Sequence, residues 1–264
     1  MSTQRPGVFD CHVHLPSPGL GQTWEWEPFT PDVEAALGYL HACGVERILA
    51  NTMRGEVAET PEEMEAANDE IAEIARLYPD TVVPACLVNT NLPEQALHEL
   101  RRCHDELGMV WIGELCGYAG GYTYDTPAFA AFIEAAADLN MVVHMHNDDY
   151  RDMGRLCARF PQTTFVLAHL GESPEDVRAR IGLTAVYPNL YLDICGNGFE
   201  RMGVVELAVR VAGAERVLFG SDFTINDPAG VIARITRSRL DQATQDAILG
   251  GNLRRLLTER GVRL

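Results

Sequence analysis

The chain has 264 residues and a mass of 29.1 kDa, with 47% hydrophobic and 22% charged residues. These values exclude a disordered, collagenous or coiled-coil chain, and the length suits one α/β barrel of roughly 250 residues. Asp and Glu number 38 against 21 basic residues, for a net charge of −17; such a field repels phosphate backbones and anionic membranes, so neither nucleic acid nor membrane is an expected partner.

Eight short β-branched-rich segments recur along the chain, at 8–14, 47–51, 82–88, 109–116, 141–146, 164–168, 190–194 and 216–220. Stretches with helical spacing of apolar residues alternate with them, at 32–43, 61–78, 93–107, 127–139, 152–160, 174–186, 199–211 and 228–238. Several helix starts carry a proline in the first turn, where its missing N–H costs nothing. A last amphipathic segment covers 241–259. Strand followed by helix, eight times over, predicts an α/β fold: a single (β/α)8 TIM barrel over 1–264 with an extra C-terminal helix. No GxGxxG follows the first strand, which argues against a doubly wound dinucleotide fold.

Every basic residue is arginine. The lack of lysine removes Schiff-base, P-loop and carbamylated-lysine chemistry together. The seven cysteines are odd in number and scattered without a CxxC pair, so free thiols are expected. No apolar run reaches the roughly 18 residues of a membrane span, and the first residues lack a signal-peptide core. A cytoplasmic protein is the expectation.

Active sites of such barrels lie at the C-terminal ends of the strands. His12 and His14 end the first strand, two apart and therefore on one face. His144 and His146 repeat that spacing on the fifth, His169 ends the sixth, Glu114 sits late in the fourth, and Asp222 follows the eighth. A lone His or Asp at a strand end is usually structural. Imidazoles and carboxylates from five strands aimed at one opening are costly without a shared partner, and a divalent cation supplies it. The donor set suits zinc first, with manganese, iron or nickel also compatible.

In this order, the motifs at 9–15 (FDCHVHL), 166–171 (VLAHLG), 217–223 (VLFGSDF) and 251–257 (GNLRRLL) are similar to those of the amidohydrolase superfamily, in its amidohydrolase 2 branch. The resemblance spans nearly the whole chain. It implies His12, His14, His144, His169 and Asp222 as metal ligands, His144 being preferred to His146 because the family's histidine directly follows the apolar strand. Glu114, in Ile112-Gly113-Glu114-Leu115, resembles the strand-four glutamate of TatD-type nucleases, which bridges two metals. Decarboxylases of the branch lack that glutamate and hold one zinc. The resemblance therefore favours a metal-dependent hydrolase that cleaves a C–N or C–O bond (amide, lactone or ester) of a small molecule. The alternative is a single-metal, non-oxidative decarboxylase of an unsaturated or aromatic acid. Whether one or two ions bind stays open, and a homodimer is the family's expectation.

Asp222 and His169 are the expected catalytic groups, Asp222 taking a proton from water and returning it to the leaving group. His146, Arg54, Trp24 and Tyr118 are the candidate substrate contacts around the mouth, with Glu25, Trp26, Tyr122 and Tyr124 nearby in the same loops. Packing of those loops onto the barrel explains them equally well. Asn147, Asp148 and Asp149 either orient ligands or cap the next helix. Asp10 is expected to support its neighbours rather than to bind metal. Cys116 and Cys195 face the mouth if Glu114 and Asp193 do, but no base is paired with either.

Overall fold

A computed structural model describes residues 7–18, 32–146, 149–196 and 198–264. The strands are β1 (Val8–Leu15), β2 (Val45–Thr52), β3 (Val82–Pro84), β4 (Trp111–Leu115), β5 (Val142–Met145), β6 (Thr164–Leu167), β7 (Leu190–Asp193) and β8 (Val217–Leu218). The helices are α1 (Val33–Ala42), α2 (Met53–Glu56), α3 (Pro61–Leu77), α4 (Pro93–Asp105), α5 (Gly117–Gly120), α6 (Pro127–Asp138), α7 (Tyr150–Arg159), α8 (Pro174–Val186), α9 (Val204–Ala212), α10 (Pro228–Thr236), α11 (Gln242–Asp246) and α12 (Asn252–Thr258). Each barrel strand runs parallel to its neighbour, in the order β1-β2-β3 and β4 through β8.

Isolated bridges close the two arcs into a (β/α)8 barrel. Cys86 pairs with Ile112 between β3 and β4, and Val13 pairs with Phe223 beyond β8. Three backbone bonds fasten the second seam: Cys11 N–H to Phe219 O at 3.0 Å, Asp222 N–H to His12 O at 2.9 Å and His14 N–H to Phe223 O at 2.6 Å. The third and eighth strands are shorter than the sequence predicts. Arg216 belongs to a 3-10 turn (Ala214–Arg216), and the chain after Leu218 bends toward β1. The expected C-terminal helix is present in segments, α11 and α12 being joined by a wider turn at Ala247–Gly251.

The helix ends follow local chemistry. Thr60 and Ser173 make reciprocal capping boxes with Glu63 and Asp176, and Pro61, Pro93, Pro127, Pro174 and Pro228 stand in first turns. Asp149 caps α7 through Arg151 N–H at 2.8 Å, so the capping reading of that residue holds. No helix among the described residues is long and apolar enough to cross a membrane, and all seven cysteines are free.

Two bulges decide what faces the mouth. Phe9 and Cys11 lie in the apolar cluster inside the barrel with Leu49, Trp111, Val142 and Val166, closed below by Leu253 and Leu257. Val13 and Leu15 instead pack in the outer cluster under the helices. The parity changes because three steps along β1, from Asp10 to Val13, match two along β2, from Ile48 to Ala50. Between Ile112 and Leu115 on β4 the same mismatch occurs against Val143 and Met145. Without these extra residues His12, His14 and Glu114 would point outward at the helices.

Candidate metal centre

The bulges bring together His12, His14, Glu114 and Asp222, each with a donor atom within 4.8 Å of the others'. All four are at least nine-tenths buried. His12 Nε2 and His14 Nε2 face each other at 3.0 Å. Glu114 Oε2 lies 3.2 Å from the first and 3.7 Å from the second; Asp222 Oδ1 lies 3.5 and 3.4 Å from them.

Each ring is held by its other nitrogen. His12 Nδ1 sits 2.6 Å from Asp193 Oδ2. His14 Nδ1 sits 2.8 Å from Asn51 Oδ1 and 3.2 Å from Glu56 Oε1, while Asn51 Nδ2 donates to that Glu56 oxygen at 3.2 Å. A proton on each Nδ1 leaves both Nε2 lone pairs aimed at the cluster, the arrangement a metal-binding histidine needs. Asn226 Nδ2 donates to Asp222 Oδ2 at 2.8 Å and leaves Oδ1 facing the imidazoles.

A second layer of groups flanks Glu114. His146 Nδ1 and His169 Nε2 each lie 3.3 Å from Glu114 Oε1, with the two rings 4.8 Å apart between centroids. His169 Nδ1 is 4.0 Å from Asp222 Oδ2. Both His169 and Asp222 have φ of 62°, and Gly196 passes so close that a Cβ there would meet His169 Nδ1 at 2.1 Å. His144 is placed differently: wholly buried, its Nε2 is 3.3 Å from Asp193 Oδ2 and its ring centroid 4.7 Å from that of His12. His146 therefore stands beside Glu114, while His144 joins His12 and Asp193 in a further set whose donor atoms lie within 4.8 Å of one another.

Electrostatics follow the crowding. Burial alone would push His14 toward the neutral form, but the Asp222 and Glu56 carboxylates beside it hold its pKa up to about 10. His12 is likewise raised despite burial, by the Cys195 sulfur, Glu114 and Asp193 around it. Burial works against the Glu114 carboxylate, yet His12 and His169 lower its pKa well below the usual range. Burial lowers His144, so its neutral form is favoured. Asp10, fully buried, is raised to about 7 by desolvation, even though it accepts from His12 N–H at 3.0 Å and Ser221 N–H at 2.9 Å. It fastens β1 to the Asp222 segment rather than touching a candidate ligand's ring.

The donor set fits a divalent cation. Asp222 Oδ1 is buried beside the His12 and His14 nitrogens and accepts no hydrogen bond, a cost that a cation beside two imidazole nitrogens removes. Among the candidate substrate contacts, Tyr118 is 61% exposed and meets the His146 ring edge-on at 5.0 Å. The Arg54 guanidinium is engaged elsewhere, by Glu70 Oε2 at 3.3 Å and Pro18 O at 3.1 Å. Trp24, Glu25 and Trp26, with Asn147 and Asp148, lie outside the described residues. Sequence reasoning missed Asn51 and Asp193 as partners of the histidines, although both end strands; Glu56 and Asn226 come from connecting segments with no periodic signal.

A search of the curated proteins found no match. Among solved structures, a dihydroxybenzoic acid decarboxylase from a Polaromonas species, with bound manganese and 2-nitroresorcinol, superposes with a TM-score of 0.77 at 18% identity, covering 96% of this chain and 97% of that one. A 5-carboxyvanillate decarboxylase from Sphingomonas paucimobilis gives 0.76 at 16%, covering 96% and 99%. An uncharacterised TIM-barrel protein from Bordetella bronchiseptica gives 0.77 at 20%, covering 97% and 99%. At these identities the likeness establishes the fold. Two of these three neighbours are named as decarboxylases, and the one whose name includes a metal holds manganese. The Amidohydrolase family profile matches residues 9–258, from the strand that carries His12 and His14 to the last helix: the chain belongs to the amidohydrolase family.

Proposed function

We propose that the protein is a metal-dependent hydrolase that cleaves a C–N or C–O bond of a small amide, ester or lactone. The observation that carries this reading is the division of the Glu114 carboxylate. Oε2 faces His12 and His14, and Oε1 faces His146 and His169, so one side chain joins two sets of donors. A single-metal decarboxylase has no need of that junction.

His12, His14, Glu114 and Asp222 would hold a divalent cation, with His169 beside them. Bound there, the cation supplies Lewis acidity, making water nucleophilic near neutral pH and drawing charge from an electrophilic oxygen. Asp222 is the proton acceptor: Asn226 fixes one oxygen and leaves Oδ1 facing the cluster. His169, between Glu114 and Asp222, would donate to the oxyanion or leaving group. Tyr118 offers the substrate an aromatic edge at the mouth.

A second reading, loss of carbon dioxide from an aromatic or unsaturated acid, is favoured by the decarboxylases among the structural neighbours. There His169 would deliver its proton to the carbon that loses the carboxylate. A panel of esters, lactones, amides and hydroxybenzoates, assayed for acid release and for carbon dioxide with and without chelator, separates the readings. Chelator-sensitive hydrolysis, falling by about a hundredfold or more in Asp222→Asn while metal is retained, is the expected result. Carbon dioxide release without hydrolysis overturns it.

A further inference from the structure

We propose that Cys116 supplies a thiolate ligand to the second cation that Glu114 and His146 would hold beside the His12–His14–Asp222 cluster, making that subsite the softer of the two. The inference rests on the reading of that cluster as a metal centre and adds a ligand of a different class to it. Cys116 Sγ, Glu114 and His146 each offer a donor atom within 4.8 Å of the others'. Cys116 Sγ lies 3.1 Å from Glu114 Oε2, and His146 Nδ1 lies 3.3 Å from Glu114 Oε1.

The independent sign of a ligand is Glu114 Oε1. It is buried, on a side chain 97% removed from solvent, and accepts no hydrogen bond although imidazole nitrogens stand at 3.3 Å on two sides. The backbone around the trio is also fixed. The Tyr124 hydroxyl accepts from Gly117 N–H at 2.9 Å and lies within hydrogen-bond distance of the carbonyls of Leu115 and His146. One phenol therefore fastens the residues next to Cys116 to the end of β5. Binding would displace the thiol proton into solvent, since a thiol that coordinates a divalent cation is deprotonated. Sulfur, imidazole and carboxylate together favour zinc or cobalt over magnesium or calcium.

The test is cobalt(II) loading of the metal-stripped full chain, followed by its absorption spectrum and by metal content per chain. Wild type should bind about two equivalents and show a sulfur-to-cobalt charge-transfer band in the near ultraviolet beside the visible ligand-field bands. Cys116→Ser should lose the charge-transfer band and about one equivalent, keeping ligand-field absorption from the remaining site. Cys195→Ser serves as control, because Cys195 Sγ lies 3.1 Å from His12 Nδ1; its band should persist. Ligand-field bands without a charge-transfer band in wild type overturn the thiolate subsite and leave the first cluster standing. A band lost in Cys195→Ser and kept in Cys116→Ser overturns it too. No cobalt absorption of any kind overturns the metal centre itself, a separate failure. The wild-type spectrum decides even if a variant does not fold.

Discussion

His12 Nδ1 and Asp193 Oδ2 are 2.6 Å apart, across the barrel interior from β1 to the end of β7, and both side chains are almost wholly buried. The contact fixes which face of the imidazole carries a proton and which presents a lone pair to His14, Glu114 and Asp222. Asp193→Asn keeps the volume but loses the charge that holds this tautomer. Metal affinity in the variant should fall about 10–100-fold, measured by competition with a chromogenic chelator; unchanged affinity would show that Asp193 does not orient the ring.

Metal uptake should release protons. In the metal-free protein His14 holds its proton up to about 10 and His12 is also raised, so a cation must displace protons that the surrounding carboxylates retain. Affinity should therefore climb with pH from about 6 to 9. Calorimetric titration in buffers of different ionisation enthalpy gives the proton count, and a count of zero near neutral pH contradicts this electrostatic picture.

Asp10 predicts a pH-dependent stability difference. Its folded pKa, raised from 3.8 to about 7 by burial, exceeds the unfolded value, so its contribution is fully present at low pH and is lost as pH rises through about 7. Asp10→Asn can still accept from His12 and Ser221 N–H and carries no charge. Urea denaturation of the metal-free proteins should show the variant gaining on wild type as pH rises from about 4 to 7. Parallel pH profiles would show that Asp10 does not titrate in that range.

Gly113 tests the β4 bulge. Its φ is +105°, and a Cβ there would stand 2.0 Å from His144 O and 2.7 Å from Leu115 N. Gly113→Ala should cost about 1–3 kcal/mol from the backbone alone, with further loss from the clash, and should disturb Glu114 next to it. A lowered denaturation midpoint together with reduced metal content is expected; a variant with wild-type values for both would mean the strand accommodates a side chain.

The barrel was legible in the sequence because strand and helix periodicities alternate so regularly, and the first-strand histidines because residues two apart share a face. Which face they share was not legible. The register mismatches at Asp10–Val13 and Ile112–Leu115 leave no periodic trace in one sequence, yet they turn His12, His14 and Glu114 inward. The choice between His144 and His146 illustrates the same limit. Strand alternation puts both on the inner face, and only depth separates the ring beside Asp193 from the ring beside Glu114. Glu56 was invisible for another reason: it reaches His14 from α2, a one-turn helix beyond β2 with no amphipathic pattern.

The most direct test of the buried cluster as a metal centre is metal content per chain, by plasma mass spectrometry, on wild type and Glu114→Ala purified without chelator. The account predicts divalent metal in wild type, about two ions per chain when fully loaded, and a clear loss in Glu114→Ala because that carboxylate joins both donor sets. Wild-type protein that remains metal-free after incubation with zinc, manganese or cobalt would contradict it.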